Sequence, residues 1–277
     1  MMKLSFSSNA FSNYDIFFAI NNISKTGFDA IELVLDQPHA FLPLKKNSLN
    51  KIKQYLKLKN IVVSNLNANT VLGWYESTIN PQKFEPSLSN KNKKLRNWRI
   101  EYTKKAIDLA LELNSPSICI TSGLLSEINY INELSFFKES LMILGEYAEK
   151  RNILLAIEYE PDLLIENSND VWNLISNDFN NIGLNLDTCH ASVLGENIPQ
   201  IINKFNKKIF HTHISDCKNN VHYHLIPGYG EINFKAIFNS LKKIKYDGFL
   251  TAELYPYYQN PKEATSKAFI YLNNLTT

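Results

Sequence analysis

The chain has only three cysteines, and their placement suits neither stapling nor metal binding: Cys119, Cys189 and Cys217 are odd in number, and none lies in Cys-x-x-Cys spacing. A chain of 277 residues does not need disulfides to be stable, so free thiols in a reducing compartment are expected. No window approaches the roughly eighteen uninterrupted apolar residues of a membrane span. The first residues alternate like a short strand and do not form a basic segment ahead of an apolar run, so no leader or anchor is expected and the cytoplasm is the expected location. Charge of one sign is also missing. With 29 Lys and Arg against 27 Asp and Glu, the net charge of +2 removes the general electrostatic case for a nucleic-acid or anionic-membrane partner. The one basic run, Lys91, Lys93, Lys94, Arg96 and Arg99, reads as solvated surface. No Gly-x-Gly-x-x-Gly follows the first apolar run, which weighs against a doubly wound, dinucleotide-binding sheet.

What is present is a rhythm. Short apolar runs alternate with stretches of helical period from end to end. Strands are predicted at Lys3–Ser7, Ala30–Val34, Ile61–Asn67, Ser117–Thr121, Leu154–Tyr159, Gly183–Asp187, Ile209–Ile214 and Phe249–Leu254. The helices between them are predicted at Tyr14–Lys25, Ser48–Lys59, Trp98–Leu113, Ser135–Arg151, Ser168–Asn177, Asn197–Phe205, Phe234–Lys243 and Lys262–Leu272. Ser135 and Ser168 suit helix caps, and Gly27 and Gly248 suit left-handed residues in helix-to-strand turns. Eight such units point to a single (β/α)8 TIM barrel over residues 1–277. Two excursions, Ala68–Asn97 and Ser215–Asn233, follow strands three and seven and so are expected on the face that carries an active site. The first is rich in aromatics (Trp74, Tyr75, Phe84, Trp98), which also suits an insertion packed on itself.

Five of the six histidines fall between His190 and His224, among carboxylates at strand ends. Side chains alternate along a strand, and Glu158, Asp187, His213 and Glu253 fall late in strands five to eight, where a barrel collects its reactive groups. A lone carboxylate at a strand end is usually a cap or a surface group; that account does not cover four at matching places. Three carboxylates and one imidazole form a set suited to one divalent ion, Mn, Mg, Co or Zn, ahead of thiolate-seeking metals. His211, on the same face as His213 but deeper, is expected to be buried and hydrogen-bonded. Glu32 and His39, at and after the end of strand two, are expected at the same mouth as substrate contacts.

The runs LAIEYEP around Glu158, GLNLDTCHASVLGENI, HTHISD, HYHLIPGYGEINF and GFLTAEL resemble the xylose-isomerase-like TIM barrels, which include sugar and sugar-phosphate isomerases and epimerases, dehydratases and apurinic endonucleases. The resemblance implies one ion on Glu158, Asp187, His213 and Glu253. It also implies a metal-bound enediolate, with Glu158 and Glu253 exchanging protons from opposite faces of a ketose. His190 of Asp187-x-x-His190 would contact substrate oxygen. Lys218 and Asn219 stand near where similar epimerases carry an Arg. The His222-x-His224 pair resembles the endonucleases, so a second ion at His190, His222 and His224 is allowed, although a polar shell around substrate is the expected role of these three. Nuclease chemistry is disfavoured because strands three and four end in Asn65, Asn67 and Thr121 where endonucleases have histidines. A metal-dependent polyol or hydroxy-ketone dehydratase and a non-catalytic carbohydrate-binding barrel are the other readings. The expected partner is a small carbohydrate, with no membrane and no nucleic acid; homo-oligomerisation is left open.

Overall fold

The computed structural model describes residues 2–75, 83–125, 130–175 and 179–276. In chain order its elements are β1 (Lys3–Ser7), α1 (Ile16–Thr26), β2 (Ala30–Val34), α2 (Lys46–Leu58), β3 (Val62–Asn67), α3 (Leu72–Tyr75), α4 (Lys93–Leu113) and β4 (Ser117–Ile120). There follow α5 (Tyr130–Glu149), β5 (Leu154–Glu158), α6 (Ser168–Ile175), β6 (Ile182–Asp187), α7 (Thr188–Val193), α8 (Ile198–Phe205) and β7 (Ile209–Ile214). The chain closes with β8 (Asp216–Lys218), β9 (Val221–Leu225), α9 (Phe234–Lys243), β10 (Phe249–Ala252) and α10 (Pro261–Thr276). Eight strands close as a parallel barrel in the order β1-β10-β7-β6-β5-β4-β3-β2, while β8 and β9 form a separate antiparallel pair. The fold is a (β/α)8 TIM barrel.

Burial explains why these runs become barrel strands. The strands are buried on both faces, because helices cover the outside and side chains fill the inside. Ile31, Leu33, Ile118, Leu155, Ile157, Leu184 and Leu250 join one continuous core with helix residues such as Ile20, Phe137, Leu141 and Phe238. Ladder closure runs through Lys3↔Phe249 to Phe6↔Ala252. Register shifts opposite Ile31/Glu32 and Leu184/Asn185 place one extra residue in each partner strand, Ser64 in β3 and Phe210 in β7.

Several local expectations are corrected. Ser135 lies inside α5, which starts at Tyr130. The cap of α6 is Asn167, one residue before Ser168: its side chain accepts from the Asp170 N–H at 3.1 Å while Asp170 accepts from the Asn167 N–H at 3.3 Å, a reciprocal box. The last two residues predicted for this helix lie outside the described residues. Gly27 does close α1 in the left-handed region, with φ 112°. Ahead of β10 the left-handed residue is instead Lys245, φ 57°, and Gly248 is needed because a Cβ there would lie 2.4 Å from the Tyr246 hydroxyl. Arg96 and Arg99 are not solvated surface: Arg99 is buried and donates to the carbonyls of Pro86, Ala68 and Thr70 at 2.5, 3.0 and 2.7 Å, and Arg96 donates to the Asn90 carbonyl at 2.7 Å. They fix the excursion after β3, which also packs on its own aromatics through Trp74 against Trp98.

The excursion after β7 is not a plain loop: it holds the β8–β9 hairpin. Asn219 and Asn220, both at φ 55°, form its two-residue turn, a conformation that asparagine tolerates better than most residues. Behind it, Asp216 gathers the loop: its carboxylate accepts from the N–H groups of Cys217, Gly228, Gly230 and Ile232 at 2.9, 2.9, 2.9 and 3.0 Å. Asp216→Ala leaves these donors without their common, buried acceptor. It is expected to cost about 2–4 kcal/mol, read as a lower urea midpoint at unchanged slope; an unmoved midpoint would remove Asp216 from this role.

Candidate metal centre and cavity

Glu158, Asp187 and His213 end or nearly end β5, β6 and β7, and Glu253 follows β10 by one residue, held by its N–H to the Ile214 carbonyl at 3.2 Å. All four are buried, and one ligating atom from each lies within 4.8 Å of the others. His213 is the hub. Its Nδ1 stands 2.7 Å from Glu158 Oε1, 3.4 Å from Glu253 Oε2 and 4.0 Å from Asp187 Oδ2. Its Nε2 points the other way, to Glu32 Oε2 at 2.8 Å. Glu32, fully buried, therefore sits behind the imidazole and not at the mouth; it also accepts from Asn65 Nδ2 at 2.7 Å. A carboxylate behind a histidine holds the proton on the far nitrogen and leaves Nδ1 free to ligate.

The donor set fits a divalent cation on the structure's own terms. Asp187 spends Oδ1 on the Cys189 and His190 N–H groups at 2.7 and 2.9 Å, capping α7, while its buried Oδ2 has no hydrogen-bond partner. An ionised oxygen left so is costly unless a cation meets it. The histidines respond to the same field. Burial works against a charge on His213, but Glu253, Glu32 and Glu158 push it well above the ordinary histidine range. Burial would raise Glu32, yet His213 and His211 hold it well below the carboxylate range. His211 is buried, with Nε2 3.3 Å from Glu32 Oε2 but not aligned to hydrogen-bond with it.

Two further side chains hold the glutamates, and neither stood out in the sequence. Asn9, just after β1, donates through Nδ2 to Glu253 Oε1 at 3.0 Å. The Cys119 thiol donates to Glu158 Oε2 at 3.3 Å and is kept protonated by burial and by Glu158 and Glu32.

Beside this centre the other histidines converge. His190 gives Nδ1 to the Tyr159 carbonyl at 2.9 Å, which leaves Nε2 facing His224 Nε2 at 3.3 Å, and His224 Nε2 is 3.2 Å from His222 Nε2. Ligand nitrogens at the edges of a tetrahedral zinc site are separated by about 3.3 Å. His224 Nδ1 faces Glu253 Oε2 at 3.3 Å. His39 is not brought here: its Nε2 meets the Phe11 carbonyl at 3.1 Å, and its role is to hold the loop after β2. A cavity of about 370 Å³ opens above the centre, lined by Glu158, Glu253, His190 and His224 and, from the excursion after β3, by Lys83 and Phe84. Glu160 also lines it; burial and Glu158 push its carboxyl up to about 8, against the pull of Lys83.

Without an ion, protonated imidazoles offset the carboxylates. His224 is pushed up to about 9 from 6.5, since Asp187 and Glu253 outweigh its burial. A group raised this way stabilises the metal-free chain fully below pH 6.5, and that contribution is lost as pH rises through about 9. An entering ion replaces these protons, so metal affinity should climb across the same interval and binding at pH 7 should release about one proton. Calorimetry in buffers of different ionisation enthalpy measures this release; a pH-independent affinity would refute it.

Comparison with known proteins agrees with the geometry. The chain is 28% identical over 251 residues to fructoselysine 3-epimerase of Shigella flexneri, covering 87% of this chain and 86% of that one. Inosose dehydratase of Clostridium beijerinckii is 23% identical over 280 residues, 93% of this chain and 89% of that one. Among solved structures, the IolI protein with a bound zinc atom superposes with a TM-score of 0.81 at 22% identity, covering 99% of this chain and 98% of that one. D-psicose 3-epimerase from Clostridium cellulolyticum with D-tagatose gives 0.80 at 17% identity over the same shares. These two share the fold. The family model described as xylose isomerase-like TIM barrel matches residues 20–275, and the chain belongs to that family.

Proposed function

We propose that the protein is a divalent-metal-dependent isomerase or epimerase of small ketoses. The observation that carries this reading is the placement of Glu158 and Glu253 on either side of His213 Nδ1, at 2.7 and 3.4 Å, both opening to one cavity. Their strands, β5 and β10, are three steps apart in the ring of eight, so the two carboxylates face one another across the mouth. A divalent ion on Glu158, Asp187, His213 and Glu253 would supply Lewis acidity to a substrate carbonyl and its neighbouring hydroxyl. The chain supplies the proton traffic. Each glutamate turns one oxygen toward His213 and has the other held by a neutral donor, Cys119 or Asn9, which orients it without taking away its basicity. Two carboxylates on opposite faces of one C–H can remove a proton from one side and return it on the other, the requirement for epimerisation. The similarity to fructoselysine 3-epimerase supports the same class. His190 and His224, at the wall, are placed to contact substrate oxygens, with His222 beside them.

Incubation in D₂O with manganese and a panel of ketoses and ketose phosphates should place deuterium at the carbon beside the carbonyl of at least one member. Glu253→Gln should lower that exchange by at least about a hundredfold with the fold intact. Products short of one water would move the protein to the dehydratases. Metal-dependent cutting of an abasic-site duplex with every sugar unlabelled would move it to the nucleases.

We further propose that an ion at His190, His222 and His224 is accessory, captured when metal is abundant. The spacing of the nitrogens favours such capture, and the Asn65, Asn67 and Thr121 positions argue against a larger cluster. The His222→Ala, His224→Ala double variant, purified at limiting metal, should keep its principal equivalent. Loss of that equivalent would show that these imidazoles belong to the main site.

A further inference from the structure

Among the described residues, the face that carries the cavity has few groups free to receive a phosphate. TIM barrels usually bind phosphate with backbone N–H groups of the loops after the last strands, or with arginine. Here several rim amides already serve carboxylates of the chain itself. Asp216 takes the N–H groups of Gly228, Gly230 and Ile232 after β7, and Asp187 takes those at the start of α7. Asp36 takes Val71, Leu72 and Gly73 at 2.8, 2.9 and 2.6 Å, closing the start of α3. Arg99 is committed to three backbone carbonyls and Arg96 to one. Among the described residues lining the cavity, Lys83 is the one lysine or arginine, and it is exposed.

Glu160 presents the opposite case. It is half-buried in the cavity wall, outside the Glu158, Asp187, His213 and Glu253 set, with its carboxylate within 4.8 Å of nitrogens of His190 and His222. Its carboxyl can pair with a cationic or strongly donating group on a ligand, whereas it offers a phosphate no ion pair.

We infer that the substrate is an unphosphorylated ketose that carries an amine, and that Glu160 is the residue that selects it by accepting the ammonium group. This deepens the ketose reading above and rests on it. The sugar oxygens lie over the His213 centre, and the amine lies toward Glu160, His190 and His222.

Equilibrium binding to the manganese-loaded full chain tests the selection apart from turnover, with D-fructose, its 6-phosphate, and its 1-amino-1-deoxy and 6-amino-6-deoxy derivatives as probes. One amino ketose should bind at least about tenfold more tightly than fructose, the gain of a charge-assisted hydrogen bond, and the phosphate no more tightly than fructose. In Glu160→Gln, a near-isosteric change, the amino-to-parent ratio should fall close to one, and Lys83→Ala should leave the order of ligands unchanged. Tighter binding of the phosphate that is lost in Lys83→Ala would overturn the inference. So would an amino-to-parent ratio unchanged in Glu160→Gln, or loss of a metal equivalent in that variant, which would make Glu160 a metal ligand. Deuterium exchange on the same probes separates the two readings: selective binding without any exchange would sink the epimerase assignment and leave the amine site standing.

Discussion

Four carboxylates, Glu32, Glu158, Asp187 and Glu253, are buried around a single imidazole, and no lysine or arginine among the described residues pairs with any of them. Like charges about 4 Å apart repel by roughly 4 kcal/mol each at the effective dielectric of a protein near its surface, so one protonated histidine cannot balance the group. A divalent cation can. The fold tolerates the strain because each carboxylate stands at or just past the end of a rigid strand whose neighbours are fixed by the barrel ladder, so the groups cannot move apart to relieve it. The raised His213 and His224 are the protein's response when protons alone are available.

Aspartates solve a different problem at the same rim. Asp36, Asp187 and Asp216 each turn toward a cluster of backbone N–H groups, and each thereby sets the path of a loop that delivers site residues. Asp216 anchors the segment after the hairpin that carries His222 and His224. Asp187 starts α7 and so aims His190 at them, while its second oxygen faces the candidate metal set. Asp36 ties α3 to the end of β2, which places Val71 and Leu72 on the cavity. A loop fixed by a buried acceptor is rigid enough to position a side chain, which loops held only by apolar packing seldom achieve.

Much of this was legible in the sequence because strands and ligands carry local signals. The eight barrel strands follow from apolar runs of fixed length, and the convergence of Glu158, Asp187, His213 and Glu253 follows from their shared lateness in successive strands. What stayed hidden depends on contacts between distant positions. Asn9 meets Glu253 across 244 residues, and Cys119 meets Glu158 across 39. Neither asparagine nor cysteine announces such a partner locally. Glu32 lies in the middle of β2, and only closure of the barrel sets it behind His213, 181 residues further along the chain, instead of at the mouth. Arg96 and Arg99 looked like surface because they follow three lysines, yet on α4 they fall on the face packed under the excursion after β3. Glu160 could have been noticed, since it lies two residues past Glu158 and outside the strand, where alternation no longer decides which way a side chain points.

His224 joins the two halves of the rim. Its Nδ1 faces Glu253 Oε2 at 3.3 Å and Asp187 Oδ2 at 3.9 Å, and its Nε2 faces His222 and His190. An imidazole bound through Nε2 must carry its proton on Nδ1, the nitrogen on the side of Glu253 and Asp187. Without an ion, Asp187 and Glu253 hold the ring protonated, so both of its nitrogens carry a proton. His224 thus links the three-histidine cluster to the carboxylates of the candidate metal set through its ring, as His190 does through its backbone N–H to Asp187 Oδ1.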